Sequence, residues 1–169
     1  MSKLAETALG GNALLRENER GTIEEQEKNA MEAIENLIFL IRDGYDLVIT
    51  HANGPQVSNI LMRNDAVIDK DMASSLLATQ IGADELYILT DVPFIYKDFG
   101  KSTQEKLEFL DYADTLKYLH AGVFGEGSMA PKIRACLRFI ENGGQKSVIT
   151  EAKKLEDKRY GSKTTMNYE

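Results

Sequence analysis

The sequence predicts an α/β fold with a mainly parallel β-sheet, and three observations lead to that prediction. Strand and helix patterns alternate along the chain, which is typical of strand–helix–strand units. The strands are short apolar runs, and glycine-containing turns directly follow two of them. At 169 residues the chain is long enough for one well-buried domain and short for two. We therefore expect a single domain over residues 1–169.

Helices are expected where apolar residues recur at helical spacing between recognisable start and stop signals. The first is the clearest, because Thr22 and Glu25 form a capping-box pattern ahead of an apolar stripe, and Gly44 follows its end. The expected helices are Thr22–Arg42, Pro55–Arg63, Asp71–Ile81, a segment that Asp111 caps and that reaches Leu119, and Lys132–Asn142.

Strands are expected at the short apolar runs between these helices. They are Leu4–Leu9, Asp46–His51, Leu86–Thr90 and Ser147–Thr150, with a short hairpin between Ile95–Tyr96 and Lys106–Glu108 and a surface helix or loop at Glu151–Arg159. The second strand is very apolar, so we expect it at the centre of the sheet. The first strand carries Glu6 and Thr7 where a covered parallel strand is apolar throughout. Because an unpaired buried carboxylate costs several kcal/mol, Glu6 lies either at an exposed edge or beside a partner.

Composition excludes several classes of function. Apolar residues make up 43% of the chain, which is a globular composition. The net charge of −7 argues against general binding to nucleic acid, which needs a basic surface. No apolar run reaches the ~18 residues of a membrane span, and no signal peptide pattern precedes the first strand. The single cysteine, Cys136, has the spacing of a core thiol rather than a reactive one. These features make a cytoplasmic protein the default expectation.

Two glycine turns are the first candidate site. Gly10, Gly11 and Asn12 follow the first strand, and Asn53 with Gly54 follows the second. Each turn leads into a helical pattern, so that backbone N–H groups at both helix starts can point at one anion. Either turn alone could be an ordinary tight connection, whereas the repetition indicates a phosphate-binding site.

Charged residues at two helix starts are the second candidate site. Lys70 lies between Asp69 and Asp71, where a lysine can neutralise a transferring phosphoryl group and a carboxylate can orient the lysine. Lys132 lies in the first turn of its helix, which the helix dipole disfavours for a cation, so an anion is expected to come to it. The alternatives are a solvated charge run and a surface lysine. The P-loop-like fragment at Gly161–Thr164 lacks the full glycine spacing, and no histidine or cysteine cluster has zinc-ligand spacing.

Five segments together resemble the carbamate kinases of the amino acid kinase family. They are Ala8–Leu14, Thr50–Val57, Val67–Asp71, Leu89–Val92 and Gly127–Lys132. The resemblance implies a three-layer αβα sandwich of reduced size, with its site at the carboxyl ends of the parallel strands. It also implies reversible phosphoryl transfer between Mg·ADP or Mg·ATP and carbamate or carbamoyl phosphate, with no covalent enzyme intermediate. Family members are commonly homodimers.

The resemblance also implies roles for individual residues. Residues 1–64 resemble the phosphate- and carbamate-binding part, and residues 65–169 resemble the nucleotide-binding part. Lys70 and Lys132 would stabilise the charge of the transition state, and Asp71 would orient the lysines. Mg²⁺ would be held mostly by nucleotide phosphates. The substrate would bind at Gly10, Gly11, Asn12, Asn53 and Gly54, and the nucleotide at Thr90, Asp91, Val92, Tyr96 and Met129.

The sequence departs from the family's pattern in one large respect. The helix expected to end at Arg63 runs within a few residues into Lys70, where the family has a large block with a lid subdomain, a third catalytic lysine and a glycine-rich acceptor loop. Ala52 and Ala130 also stand where glycine is usual. We therefore hypothesise a miniaturised or redesigned carbamate kinase with impaired activity. The alternatives are a non-catalytic nucleotide-binding remnant and an α/β scaffold without activity.

Overall fold

Helices cover both faces of a sheet in the computed structural model, which describes residues 3–10, 22–51, 70–126 and 128–167. The strands are β1 (Lys3–Leu9), β2 (Tyr45–His51), β3 (Glu85–Thr90), β4 (Ile95–Lys97), β5 (Glu105–Leu107), β6 (Phe109–Asp111), β7 (Lys146–Glu151) and β8 (Ser162–Thr165). The helices are α1 (Ile23–Arg42), α2 (Lys70–Gln80), α3 (Tyr112–His120) and α4 (Met129–Glu141), with a 3₁₀ turn at Ala152–Lys154.

The main sheet contains six of the described strands in the order β2-β1-β3-β7-β8-β6. Neighbouring strands are parallel except β7 and β8, which are antiparallel. The strands β4 and β5 form a separate antiparallel hairpin in which Ile95 pairs with Leu107. The three-layer αβα fold with a mainly parallel sheet is therefore confirmed.

Alternation along the central strand β3 divides the core into two layers. Leu86 and Ile88 face one side, where they pack with side chains of α2 and α4. Tyr87 and Leu89 face the other side, where they pack with Leu37 and other residues of α1. Every residue of β3 is buried, as expected for a strand that is covered on both faces.

Local signals in the sequence set several element boundaries. Thr22 and Glu25 form the expected capping box at the start of α1. The carboxylate of Asp111 accepts a hydrogen bond of 2.7 Å from the backbone N–H of Asp114 and caps α3. Cys136 is 1% exposed, and burial raises the pKa of its thiol to about 12, so it is a core side chain as predicted.

One expectation about the strands is wrong, and the sequence leaves two short strands unpredicted. Among the described strands β2 lies at the edge of the sheet and β1 lies inside it. On β2, the side chain of Ile49 remains 46% exposed. The apolar composition of this strand therefore does not mean that other elements cover it on both faces. The sequence does not predict β6 or β8, because β6 is only three residues long and β8 is polar with no apolar run. The helix expected at Pro55–Arg63 lies outside the described residues.

Within the described part of the chain, no helix has both the length and the apolar character needed to cross a membrane.

Candidate active site

The turn after β1 lies against a lysine from α2. A Cβ atom built on Gly10 would lie 3.1 Å from the Nζ atom of Lys70 and 3.1 Å from the carbonyl oxygen of Leu89. Both distances are too short for a comfortable contact, so a side chain at this position would displace the lysine or the strand. Glycine at position 10 therefore lets the ammonium group of Lys70 approach the backbone at the carboxyl end of β1.

A buried ion pair joins the first turns of α2 and α4. The Nζ atom of Lys132 lies 3.1 Å from Oδ2 of Asp71, and the two side chains are 16% and 5% exposed. Because the two helices pack against each other on the same face of the sheet, the pair links the two elements that carry the candidate lysines. A charged group so deeply buried needs such a partner, and the carboxylate of Asp71 orients the ammonium group of Lys132.

A cavity of about 800 Å³ opens beside this ion pair, and Lys132 lines it. The cavity lies beyond the carboxyl end of β3, where ligands bind in open parallel sheets. Aromatic rings form part of its lining: Tyr96 lies 6.5 Å from Phe94 and 5.7 Å from Phe99 between ring centroids. At the end of β3, the hydroxyl of Thr90 donates a 3.0 Å hydrogen bond to Asp91. The volume suits a nucleotide-sized ligand.

The amino terminus of α4 forms another part of the cavity. The backbone N–H groups of Ser128, Met129 and Ala130 all donate to the carbonyl oxygen of Gly125, at 3.2, 3.1 and 3.0 Å. Since these amides already have a partner, the positive charge that the first turn of α4 offers to a ligand comes from the side chain of Lys132.

Glu6 lies close enough to Asp71 to feel its charge, and its surroundings resolve the irregularity of the first strand. It is 0% exposed, and its Oε1 accepts a hydrogen bond from the hydroxyl of Thr50. That hydroxyl lies 2.7 Å from the Oγ atom of Ser74 on α2. Burial raises the pKa of Glu6 to about 7; the hydrogen bonds from Thr50 and Ser74 oppose this rise, and the charge of Asp71 adds to it. Glu6 therefore lies inside the sheet with partners from β2 and α2, not at an edge.

The structure brings the described candidate residues into two adjoining groups. Gly10 and Lys70 lie together beside the pair of Asp71 and Lys132. The five nucleotide candidates Thr90, Asp91, Val92, Tyr96 and Met129 all line the cavity. The candidates Gly11, Asn12, Asn53 and Gly54 lie outside the described residues.

Sequence reasoning missed other residues that line the cavity. Phe94 and Phe99 flank Tyr96, and the segment 121–125 closes another side. The available signals were the aromatic residues clustered around Tyr96 and the glycines at positions 122 and 125, which bracket a turn between two helices. The described residues contain no group of three or more histidine, cysteine, aspartate or glutamate side chains placed to hold a metal ion.

Known proteins resemble this chain in sequence. The model of the amino acid kinase family matches residues 64–151, just over half of the chain. The carbamate kinase of Halobacterium salinarum is 42% identical over 120 residues, which are 69% of this chain and 39% of the relative. The carbamate kinase of Thermoplasma acidophilum is 54% identical over 97 residues, which are 57% of this chain and 30% of the relative. Carbamate kinase 2 of Staphylococcus aureus is 41% identical over 134 residues, which are 76% of this chain and 43% of the relative. The chain thus spans between 30% and 43% of the length of these relatives.

Solved structures show the same fold. The carbamate kinase of Giardia lamblia bound to AMP-PNP superposes with a TM-score of 0.89 at 23% identity, covering 98% of this chain and 99% of that chain. The UMP kinase of Bacillus anthracis superposes with a TM-score of 0.70 at 8% identity, covering 99% of this chain and 97% of that chain. Taken with the family match and the carbamate kinase relatives, this shows that the chain belongs to the amino acid kinase family, in a shortened form.

Proposed function

We propose that this chain is a carbamate kinase-like phosphotransferase that moves a phosphoryl group reversibly between a nucleotide and carbamate. One observation carries the proposal: Lys132 lines the nucleotide-sized cavity and is paired with Asp71, the neighbour of Lys70 in the first turn of α2. The similarity to carbamate kinases supports the choice of substrate.

The chemistry requires positioning and charge neutralisation rather than a covalent intermediate. During in-line transfer, negative charge spreads over the oxygens of the phosphoryl group. Lys70 and Lys132 would offer two ammonium groups to that charge, one from α2 and one from α4. Asp71 would hold Lys132 in place. A preorganised donor of this kind contributes about 10²–10³-fold to the rate.

The nucleotide would occupy the cavity next to Lys132. Thr90, Asp91, Val92, Tyr96 and Met129 would contact it, and the ring of Tyr96 offers an apolar surface for a base. Mg²⁺ would be held mostly through the phosphates of the nucleotide, as the similarity to carbamate kinases implies. The ion would supply neutralisation of phosphate charge.

The acceptor would bind at the glycine turns. Gly10 lies beside Lys70, and Gly11, Asn12, Asn53 and Gly54 complete the proposed site. Residues 1–64 would thus supply the phosphate- and carbamate-binding part, and residues 65–169 the nucleotide-binding part of one domain. A homodimer, a cytoplasmic location and a redesigned origin stay predictions.

A second candidate is nucleotide binding without turnover. The span of only 30% to 43% of the relatives' length favours it. If water is not excluded from the site and an activating group is missing, chemistry slows by orders of magnitude while binding survives.

The test is formation of ATP from Mg·ADP and carbamoyl phosphate by the purified chain. Lys132→Ala and Lys70→Met remove the two proposed cations. Lys117→Ala is the matched control, because this lysine on α3 is 78% exposed and pairs with Asp114, a neighbouring surface aspartate. Thermal unfolding of each variant shows whether it is folded.

We expect activity in the parent and in Lys117→Ala, and a loss of about 10²-fold or more in each of the other folded variants. If the parent shows no more activity than Lys132→Ala, the phosphotransferase proposal fails. In that case, stabilisation of the parent by Mg·ADP would identify the binding protein instead.

A further inference from the structure

A lysine amine lies buried on the face of the sheet that α1 covers. Lys163 is on β8, opposite Val148 of β7. Its Nζ atom is shielded from solvent and makes no hydrogen bond to any described residue. The ring of Phe109 is the polarisable group beside it, with 4.8 Å between Nζ and the ring centroid. A ring face attracts a cation, but it does not neutralise the charge.

The same lysine lines a cavity of about 60 Å³. The hydroxyl of Thr150, on the adjacent strand β7, also lines this cavity, and it too is buried without a hydrogen-bond partner among the described residues. Among the described residues, the cavity shares no lining residue with the cavity beside Lys132. It therefore contains two unmatched polar groups of its own.

Other polar groups of the lining already have partners. The pairs are Lys146 with Glu85 at 2.9 Å, Lys158 with Asp43 at 2.6 Å, and Tyr160 with Glu151 at 3.1 Å. Burial and the nearby charge of Lys146 lower the pKa of Lys163, while Glu108 and Asp157 oppose that effect. Asp157 also lines the cavity and lies 3.8 Å from the exposed Arg159. Among the described lining residues, three lysines (Lys146, Lys158 and Lys163) face two carboxylates (Asp43 and Asp157), so the balance of charge is positive.

The size and chemistry of the cavity restrict its occupant. At about 15 Å³ for each water-sized position, the cavity accepts about four such positions. Water could satisfy the hydroxyl of Thr150, but it would not offset the charge of an ammonium group. A small oxyanion would satisfy both, since its oxygens accept hydrogen bonds and its charge opposes that of Lys163.

We propose that this cavity is a second binding site, for a small oxyanion such as a carboxylate or phosphate, held by the ammonium group of Lys163 and the hydroxyl of Thr150. The site goes beyond the proposed phosphotransferase activity and does not depend on it. It is formed by the antiparallel strands β7 and β8 on the face opposite α2 and α4.

The experiment follows the NMR signal of Lys163 in protein labelled with ¹³C at lysine. Its pKa is measured in chloride alone, and then with millimolar inorganic phosphate or acetate at the same ionic strength. We expect a lowered pKa in chloride and a rise of about one unit with either oxyanion. Since the signal belongs to Lys163 itself, binding at the candidate active site does not imitate this result.

Two variants make the assignment specific. Thr150→Val removes the hydroxyl but keeps the shape, and should weaken the response of Lys163 to phosphate several-fold. Phosphate should raise the melting temperature of Lys163→Met less than that of the parent. The control variant Lys117→Met should respond to phosphate as the parent does. If neither oxyanion moves the signal beyond the effect of chloride, or if Thr150→Val responds like the parent, the proposal is overturned.

Discussion

Replacing Glu6 with glutamine should change how the stability of the protein depends on pH. Glu6 is 0% exposed, and its described hydrogen-bond partners are the hydroxyls of Thr50 and Ser74. Its second carboxyl oxygen, Oε2, is buried without a partner among the described residues. The side chain is therefore well suited to the neutral form and poorly suited to the charged one. Glu6→Gln keeps the shape of the side chain and remains neutral at every pH.

The magnitude follows from the pKa of Glu6, which rises from 4.5 to about 7 on burial. Because the folded state binds the proton more tightly than the unfolded state, this group's contribution is fully present below about pH 4.5. It is lost as pH rises through about 7. A shift of about 2.5 units corresponds to about 3 kcal/mol, of which about 2.5 kcal/mol is lost between pH 5 and pH 8. Glu6→Gln should therefore gain about 2.5 kcal/mol relative to the parent over that interval.

The assay is urea unfolding of parent and variant at several pH values, with the free energy of unfolding extrapolated to water. Glu35→Gln, on the exposed surface of α1, is the matched control, because it removes a carboxylate that water already solvates. Groups that titrate in both proteins cancel in the difference. A difference between parent and Glu6→Gln that stays constant from pH 5 to pH 8, as in Glu35→Gln, would refute the reasoning.

Two further predictions concern glycines whose Cβ positions are crowded. Gly10→Ala should lower kcat/KM for ATP formation about tenfold, because its Cβ would lie 3.1 Å from Nζ of Lys70. The variant should also lose about 1 kcal/mol of stability in urea unfolding, because the same Cβ would lie 3.1 Å from the carbonyl oxygen of Leu89. Unchanged kinetics would contradict the proposed role of Lys70. Gly161→Ala should lower the free energy of unfolding by about 3 kcal/mol in the same assay, because φ is +87° and the Cβ would lie 2.7 Å from the side chain of Thr150 on β7. Gly122→Ala is the control. It also has a positive φ, +67°, but has open space around it, so it should lower the free energy of unfolding by only about 1 kcal/mol. Equal losses would refute the crowding argument.

Glu85→Gln should destabilise the protein by about 3 kcal/mol at pH 7, because this side chain is 2% exposed and paired with Lys146. Burial alone would raise the pKa of Glu85, but hydrogen bonds from Tyr87 and Lys146 hold it below 4.5, so the loss should shrink as pH falls below that value. A loss that does not depend on pH would contradict this account.

Local interactions explain which parts of the fold could be predicted from the sequence. The capping box of Thr22 and Glu25 and the cap at Asp111 involve neighbours three residues apart, so they are visible in the chain itself. The hairpin of β4 and β5 and the alternation of strands and helices are similarly local. Lys70 and Lys132 are candidates on local grounds as well, because each lies in the first turn of a helix.

Long-range packing explains the errors. The strand β2 is apolar but lies at the edge, and its place depends on which strands pair with it rather than on its own composition. The polar strand β8 is stabilised by pairing with β7 and β6, which are distant in sequence. Similarly, Phe94 and Phe99 join the cavity only because the hairpin and the segment 121–125 meet there.

By itself, the sequence determined the fold class, the family and the residue types of the candidate site, because these depend on local patterns and on motifs. The tertiary structure decided how those residues act together. It paired Lys132 with Asp71 across 61 positions of sequence and enclosed Glu6 between hydroxyls of β2 and α2. It also left the amine of Lys163 buried with no hydrogen-bond partner among the described residues. Burial and distance determine the free energy of a charged group, and both arise only when distant segments of the chain pack together.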